Sequence, residues 1–361
     1  MFETLPSFDV TLIGSTMPNL ERIGNLREAE VKEALPSIVS NFLTRKPYST
    51  ASFIELVNLE NHLGDADVIV CFELFSFISR QCSKLAKRKG KKLVVCCFGS
   101  FPAIPLYRLP PYSWNVDEVI RQADLFIAFT HRTANFLQSL KIAKEKIEVV
   151  YPGIDVRRFS PSTTKKSGEV LRVLFVGGYI REKGLSVLLP AFSRLCRDFG
   201  NIELWICTSD EKGEEEPIAR AYKNRYPVKI LGNVKYSKID EVYKQCDVFC
   251  HPSYDRRRWG MKIWEEEFGF SLVEAMACGL PVIATDCGAM YEIVGPRNLI
   301  VPQKSVGELY LALKRVLEDE DYRERIGKEN RSRALQNFDL NCQRLKMNEV
   351  LKMVVEGTSQ R

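Results

Sequence analysis

Two carboxylates, Glu266 and Glu274, stand eight positions apart in the stretch from Trp264 to Gly288. Between them runs Phe268-Gly269-Phe270-Ser271, which reads as a loop opening a helix. Gly269 lets the backbone approach a ligand closely. Ser271 is the expected N-cap, and Leu272, Val273, Ala275 and Met276 supply an apolar face. Gly279 is expected to end the helix, with Pro281 just beyond, and Val282-Ile283-Ala284 reads as a short buried strand. Free N–H groups at a helix N-terminus attract anions and polar oxygens. Carboxylates placed around that terminus can accept hydrogen bonds from hydroxyls at different parts of one polyhydroxylated ligand. A plainer reading stands beside this one: acidic residues near the positive end of a helix dipole.

A second group of residues could hold an anion. Leu171 to Val176 reads as a strand running into Gly177 and Gly178, and Tyr179-Ile180-Arg181-Glu182-Lys183-Gly184 opens a helix near Leu185. Strand, glycine turn, two cations and a helix N-terminus suit a diphosphate. The alternative is a capped strand-to-helix turn with exposed basic groups.

These groups need a scaffold, and the chain reads as alternating strands and helices. Ala66 to Phe72 is near-continuously apolar, as buried parallel sheets require, and Glu73 lies just past its end, where open α/β sheets bind ligands. A helix is expected from about Leu74 to Lys87. Leu93 to Cys97 and Asp124 to Phe129 are further strands, the second leading to Thr130 as cap of a helix from about Arg132. Phe8 to Ile13 reads as a first strand, followed by Gly14. Asn201 to Cys207, Val228 to Leu231 and Asp247 to His251 complete the second half. Residues 101–113 form a proline-rich irregular loop, and 160–169 have linker composition. From Ser305 the chain reads helical, with a break near Asn337-Phe338-Asp339. The segment 254–265 carries three arginines and two tryptophans. It reads as a loop, either plain surface or a contact for a phosphate and a sugar face.

The run Ala275-Met276-Ala277-Cys278-Gly279-Leu280-Pro281-Val282-Ile283-Ala284-Thr285, behind a Glu-x7-Glu pair, resembles the signature of retaining glycosyltransferases of family four, group 1. The resemblance implies an α/β chain of GT-B fold, two Rossmann-like domains facing each other across a cleft. It implies an N-terminal acceptor-side domain over 1–160 and a nucleotide-sugar domain over 170–335. Residues 336–361 would form a helix returning to the first domain. The implied reaction moves a sugar, with retention and without metal or cofactor, from a nucleotide-diphosphate sugar to an acceptor hydroxyl. The implied donor is a UDP- or GDP-sugar. The acceptor would be a glycan, a lipid-linked saccharide or a small molecule. By the same resemblance Glu266 contacts the donor sugar and Glu274 the ribose hydroxyls. The backbone from Gly269 through Phe270, Ser271 and Leu272 binds sugar hydroxyls. The loop at Asn233 and Val234 carries the nucleobase. Lys183 matches the family's Glu-Lys-Gly and, with Glu266, is the implied catalytic pair. The family's arginine is replaced by Gly178, and Arg181 is the nearest substitute cation. Phe98 stands where many members place a histidine, and Pro152 where Asn is usual. The missing histidine and arginine keep open a catalytically silent nucleotide-sugar-binding protein. A sugar-nucleotide epimerase or a phosphorylase of the same fold also stays open.

Composition narrows the rest. The chain has 361 residues, 45% hydrophobic and 27% charged, enough for two separate cores. A net charge of +6 is too small to argue for nucleic acid. No apolar run reaches the ~18 residues of a membrane span, and the N-terminus lacks the features of a signal peptide. That argues against a periplasmic-type binding protein. The eleven cysteines include no Cys-x-x-Cys pair, and read as buried thiols in a reducing cytoplasm. His62, His131 and His251 fall in separate segments, so no metal site is expected. The basic run Lys87 to Lys92 is either a solvated turn or a contact with the inner, anionic face of a membrane.

Overall fold

Side chains of one strand alternate between two cores, and this locates the first sheet. Leu93, Val95 and Cys97 enter one buried cluster, while Val94 and Cys96 enter another. Successive strand residues point to opposite faces, so this strand is covered on both sides, which explains its unbroken apolar sequence. The computed structural model describes residues 5–14, 26–28, 31–33, 54–99, 109–110, 112–162, 170–208, 212–296 and 298–357. The expected loop of 101–113 and linker of 160–169 fall largely outside these residues.

The chain divides into two compact units, Met1–Pro152 with Cys342–Arg361, and Gly153–Asn341. In the first unit β1 (Leu12–Gly14) pairs parallel with β2 (Leu26–Glu28), and β3 (Val31–Glu33) antiparallel with β4 (Ile54–Leu56). The main sheet is parallel, in the order β5 (Val68–Phe72), β6 (Lys92–Cys97), β7 (Leu125–Ala128) and β8 (Ile147–Val149). Helices α1 (Leu59–Leu63), α2 (Phe77–Lys89), α3 (Tyr112–Gln122) and α4 (His131–Ser139) accompany it. Leu85 and Ala86 of α2 and Val116 and Val119 of α3 pack on one face. Thr130 caps α4, its hydroxyl accepting from the Thr133 N–H. Met347, Val350 and Leu351, late in the chain, close the opposite face.

The second unit holds a six-stranded parallel sheet. Its strands are β9 (Leu171–Val176), β10 (Ile202–Cys207), β11 (Val228–Gly232), β12 (Val248–His251), β15 (Val282–Thr285) and β16 (Leu299–Val301). Their order is β11-β10-β9-β12-β15-β16, so the strand order reverses between β9 and β12. Helix α5 (Leu185–Asp198) buries Leu185, Leu188, Leu189, Phe192 and Leu195 against Val173, Phe175 and Leu204 of the sheet. Helices α6 (Glu216–Lys223), α7 (Ile239–Tyr243), α8 (Phe270–Ala277) and α9 (Met290–Val294) follow in turn. Helices α10 (Val306–Glu318) and α11 (Glu320–Asn337) end this unit, and α12 (Leu340–Glu356) lies almost wholly in the first.

Three expectations need correction. The segment 254–265 is not a loop but holds an antiparallel hairpin, β13 (Arg256–Arg258) and β14 (Met261–Trp264). Trp259 and Gly260 turn it, both with positive φ. The N-cap of α8 is Gly269, not Ser271, because a φ of 75° there turns the chain one residue pair earlier. The tail breaks a second time, at Asp319, whose carboxylate caps α11.

All eleven cysteines are free, and nine are buried. In the basic run, Arg88 and Lys89 pair with Glu60, and Lys92 with Asp124. Among the described residues no helix is long and apolar enough to cross a membrane.

Candidate active site

Glu266 follows the hairpin directly, and its main chain is pinned from behind. Its N–H meets the Cys287 sulfur at 3.3 Å, and its carbonyl accepts from the Ala289 N–H at 2.9 Å. Gly288 passes so close that a side chain there would collide with the Glu266 main chain. The Glu266 carboxylate is therefore held at the carboxyl end of β12, just ahead of α8. In open α/β sheets ligands gather at such strand ends, where the strand order reverses.

Three donors converge on one oxygen of that carboxylate. Oε2 lies 2.7 Å from Lys183 Nζ, 2.9 Å from His251 Nε2 and 2.9 Å from Ser253 Oγ. His251 ends β12 and is buried; Ser253 lies two residues on. Burial alone would raise the Glu266 carboxyl, but the Lys183 ammonium and the His251 ring outweigh it. They hold it far below the usual carboxylate range. None of the three donors goes to Oε1. The anchored carboxylate thus has a second oxygen able to accept a hydrogen bond.

Lys183 ends a 3-10 turn, Arg181–Lys183, after the glycines of β9. Its Nζ also lies 5.5 Å from the Trp264 ring centroid, at the end of β14. The preceding residue, Glu182, is buried and accepts from Arg256 of β13 at 2.8 Å. Adjacent residues of the turn thus hold both strands of the hairpin. Lys262 in β14 adds ion pairs to Asp255 at 2.7 Å and Glu265 at 2.8 Å. The hairpin is fastened to the 181–183 turn by the Arg256–Glu182 pair and the Lys183–Trp264 contact, and Lys262 ties it to its own flanking residues.

Glu274 lies in the second turn of α8, and both its oxygens are engaged. Oε1 accepts from the Tyr236 hydroxyl at 3.1 Å and Oε2 from the Tyr243 hydroxyl at 2.9 Å. Burial raises its carboxyl, against the two tyrosine hydroxyls and the Arg158 cation that pull it down. At the helix N-terminus the Leu272 N–H already donates to the Gly269 carbonyl at 3.0 Å, so it is not open to a ligand as expected. The Ser271 hydroxyl donates to the Val176 carbonyl at 3.3 Å, which ties α8 to the end of β9. Phe270 is exposed and its ring meets Phe268 edge-on at 5.0 Å.

The remaining expected residues scatter. Gly178 lies in the turn after β9. Arg181 points elsewhere: its exposed guanidinium is 3.8 Å from Glu214. Asn233 and Val234 follow β11, where the Val234 N–H donates to the Gly232 carbonyl at 3.1 Å. The sequence reading missed His251, Ser253, Tyr236 and Tyr243. Only His251 carried a usable signal, as a polar residue ending an apolar strand in the middle of the sheet.

The first unit has a carboxylate at the corresponding edge of its own sheet. Glu73 follows β5 with φ at 66°, and its Oε1 accepts from the Phe98 N–H at 3.0 Å. Burial pushes its carboxyl up to about 7, with the Phe98 and Gly99 N–H groups pulling the other way. The Phe98 ring packs on Phe129 at 4.1 Å.

Comparison with known proteins adds the following. Residues 156–333 match the family model described as glycosyl transferases group 1. Residues 8–158 match that of glycosyltransferase family 4. The MMP alpha-(1->4)-mannosyltransferase of Mycolicibacterium hassiacum is 27% identical over 220 residues, 60% of this chain and 50% of that protein. The lipopolysaccharide core biosynthesis mannosyltransferase LpsB of Rhizobium meliloti is 33% identical over 188 residues, 49% of each. The crystal structure of Anabaena HepE in complex with UDP-glucose superposes with a TM-score of 0.66 at 19% identity. It covers 81% of this chain and 80% of that one. The chain spans about a third to a half of the length of the curated relatives it matches.

Proposed function

This chain belongs to the group 1 glycosyltransferases of family four and has their GT-B fold of two Rossmann-like domains, and on that premise we propose that it transfers a sugar from a nucleotide-diphosphate donor to an acceptor hydroxyl, with retention of configuration. The observation that carries this reading is the Glu266 carboxylate, anchored through one oxygen by Lys183, His251 and Ser253. In this reading its other oxygen takes a hydroxyl of the donor sugar. Lys183 stabilises the charge that develops on the leaving diphosphate. Glu274 receives the ribose, the Phe270–Ser271 end of α8 faces the sugar, and Asn233 and Val234 border the base. Arg181 would have to leave Glu214 to help. The donor site then lies wholly in the second domain, between about 170 and 335.

A UDP-sugar is the first donor to try, because the Anabaena neighbour binds UDP-glucose. A hexose is the first sugar, because the relatives named above are mannosyltransferases. The acceptor would be a glycan or a lipid-linked saccharide. We place the reaction in the cytoplasm, with contact at the inner membrane face if the acceptor is lipid-linked. No divalent metal is required in this scheme, since the ammonium of Lys183 and the first N–H groups of α8, at Phe270 and Ser271, meet the diphosphate charge.

A panel of UDP- and GDP-sugars tests the reading by thermal shift and then by donor hydrolysis or transfer, with excess chelator present. A bound donor raises the melting temperature by mass action. Turnover that persists in chelator, with an α-configured product from an α-configured donor, is the expected result. Restoration by magnesium or manganese after loss in chelator rejects the metal-free scheme. Binding without any turnover points to the silent nucleotide-sugar-binding protein instead.

A further inference from the structure

Glu266 and Glu274 differ in how their oxygens are used. Glu266 takes three protein donors on one oxygen. Glu274 takes one tyrosine hydroxyl on each. The two tyrosines are not equivalent. Tyr243 is fully buried, packs between Phe159 and Phe249, and its hydroxyl is also 3.1 Å from the Ser271 carbonyl. It is part of the core. Tyr236 is 63% exposed and sits on the short turn after Asn233 and Val234, ahead of α7.

The Tyr236 ring is held from one side. The Arg158 guanidinium lies 4.5 Å from its centroid, and the Phe159 ring 6.0 Å away. Arg158 also donates to the Tyr236 carbonyl and pairs with Asp240 at 3.3 Å. The backbone of this turn is therefore fixed by Arg158. The hydroxyl donates to Glu274 Oε1 at 3.1 Å. Exposure of the residue gives its hydroxyl access to water once its hydrogen turns away from Glu274.

A carboxylate oxygen that already accepts from a protein hydroxyl is not simply available to a ligand. A ligand hydroxyl must share it or displace the first donor. Exchange of one O–H donor for another is nearly neutral in free energy, because a hydrogen bond is lost for each one gained. We propose that the Tyr236 hydroxyl stands in the place of a ribose hydroxyl on Glu274 and is exchanged for it when a nucleoside diphosphate binds. Tyr236 is thus a positioning residue that competes with the nucleotide. It keeps the buried carboxylate satisfied and sets how much affinity the ribose adds. The inference rests on the reading that Glu274 receives the ribose.

The competition has a signature that a structural prop lacks. Tyr236→Phe keeps the ring on Arg158 and Phe159 and removes only the competing hydroxyl. In that variant UDP gains a hydrogen bond to Glu274 without losing one. One net hydrogen bond corresponds to about a fivefold tighter dissociation constant. An analogue that lacks the exchanged hydroxyl gains nothing. Either 2′-deoxy-UDP or 3′-deoxy-UDP should therefore change less than twofold, and which one it is names the hydroxyl.

The experiment is calorimetric titration of the full chain with UDP, 2′-deoxy-UDP and 3′-deoxy-UDP, for wild type, Tyr236→Phe and Glu274→Gln. Tighter UDP in Tyr236→Phe, with one deoxy analogue unaffected, is the expected result. Weaker or unchanged UDP in Tyr236→Phe, while Glu274→Gln weakens UDP, overturns the competition and leaves the ribose reading standing. Unchanged UDP affinity in Glu274→Gln overturns the ribose reading, and the competition with it. Equal tightening of UDP and both analogues also overturns it, because the ring would then be yielding space and not a hydrogen bond.

Discussion

Glu266 in the second unit and Glu73 in the first occupy similar places, beyond the carboxyl ends of strands in parallel sheets. Their chemistry is opposite. Burial favours the neutral form of any carboxyl. At Glu73 the opposing groups are main-chain N–H donors of Phe98 and Gly99, and burial wins, with the carboxyl at about 7. At Glu266 a lysine ammonium and a histidine ring outweigh burial, and the carboxylate stays ionised far below the usual range. The difference lies in formal charge. A peptide dipole offsets part of a desolvation cost, while a cation within 3 Å reverses it. The second unit thus carries a fixed anion, and the first a carboxyl that changes charge near neutrality.

The strongest way to break this contrast is to remove the lysine. Lys183→Ala should lower turnover by about 10²–10³-fold, since loss of one preorganised donor costs about 2.7–4 kcal/mol. Single-turnover kinetics with a UDP-sugar measures it. Unchanged turnover would move the diphosphate to another cation, with Arg181 and the hairpin arginines next to examine.

Removing the histidine is a smaller change. His251→Phe keeps the ring packing beside Phe249 but deletes a hydrogen bond to a charged group, a loss of about 1.5–3 kcal/mol. Urea unfolding at pH 7 should show that loss. No loss of stability would mean that Lys183 and Ser253 suffice to hold Glu266.

The subtlest effect is in pH dependence, where the two carboxyls should slope in opposite directions. For Glu73 the folded carboxyl lies above its unfolded value of about 4.5, so the fold disfavours ionisation. Its contribution is neutral below that value and becomes destabilising as pH rises from about 4.5 to 7. Glu73→Gln should therefore gain stability over wild type across that window and match it at pH 4. For Glu266 the folded carboxyl lies lower than the unfolded one. Its stabilisation is present above the ordinary carboxylate value and is lost as pH falls toward the folded one. The difference between wild type and Glu266→Gln should shrink as pH falls below about 4.5. Parallel slopes for the two variants would show that the electrostatic contrast is wrong.

Much of the fold was legible because its signals are local. Apolar runs such as Leu93 to Cys97 declared buried strands, and Thr130 announced the start of α4. The hairpin at 256–264 was not legible, because Arg-Arg-Arg has no strand pattern. It is a strand because charge pairs to Glu182, Asp255 and Glu265 hold it. The N-cap at Gly269 was missed for a related reason: serine is a strong cap by type, yet the backbone turned at the glycine before it.

The sequence alone determined the family, the GT-B fold and the nearness of Glu266 to the start of a helix, since each is written in contiguous residues. Only the tertiary structure decided which oxygen is used and by whom. Lys183 and Glu266 are 83 positions apart, and the tyrosines are 38 and 31 positions from Glu274. A side chain that meets its partner across such distances carries no local pattern. Its role is set by the sheet that brings strand ends together, and by the few ångströms that separate a cation from a carboxylate.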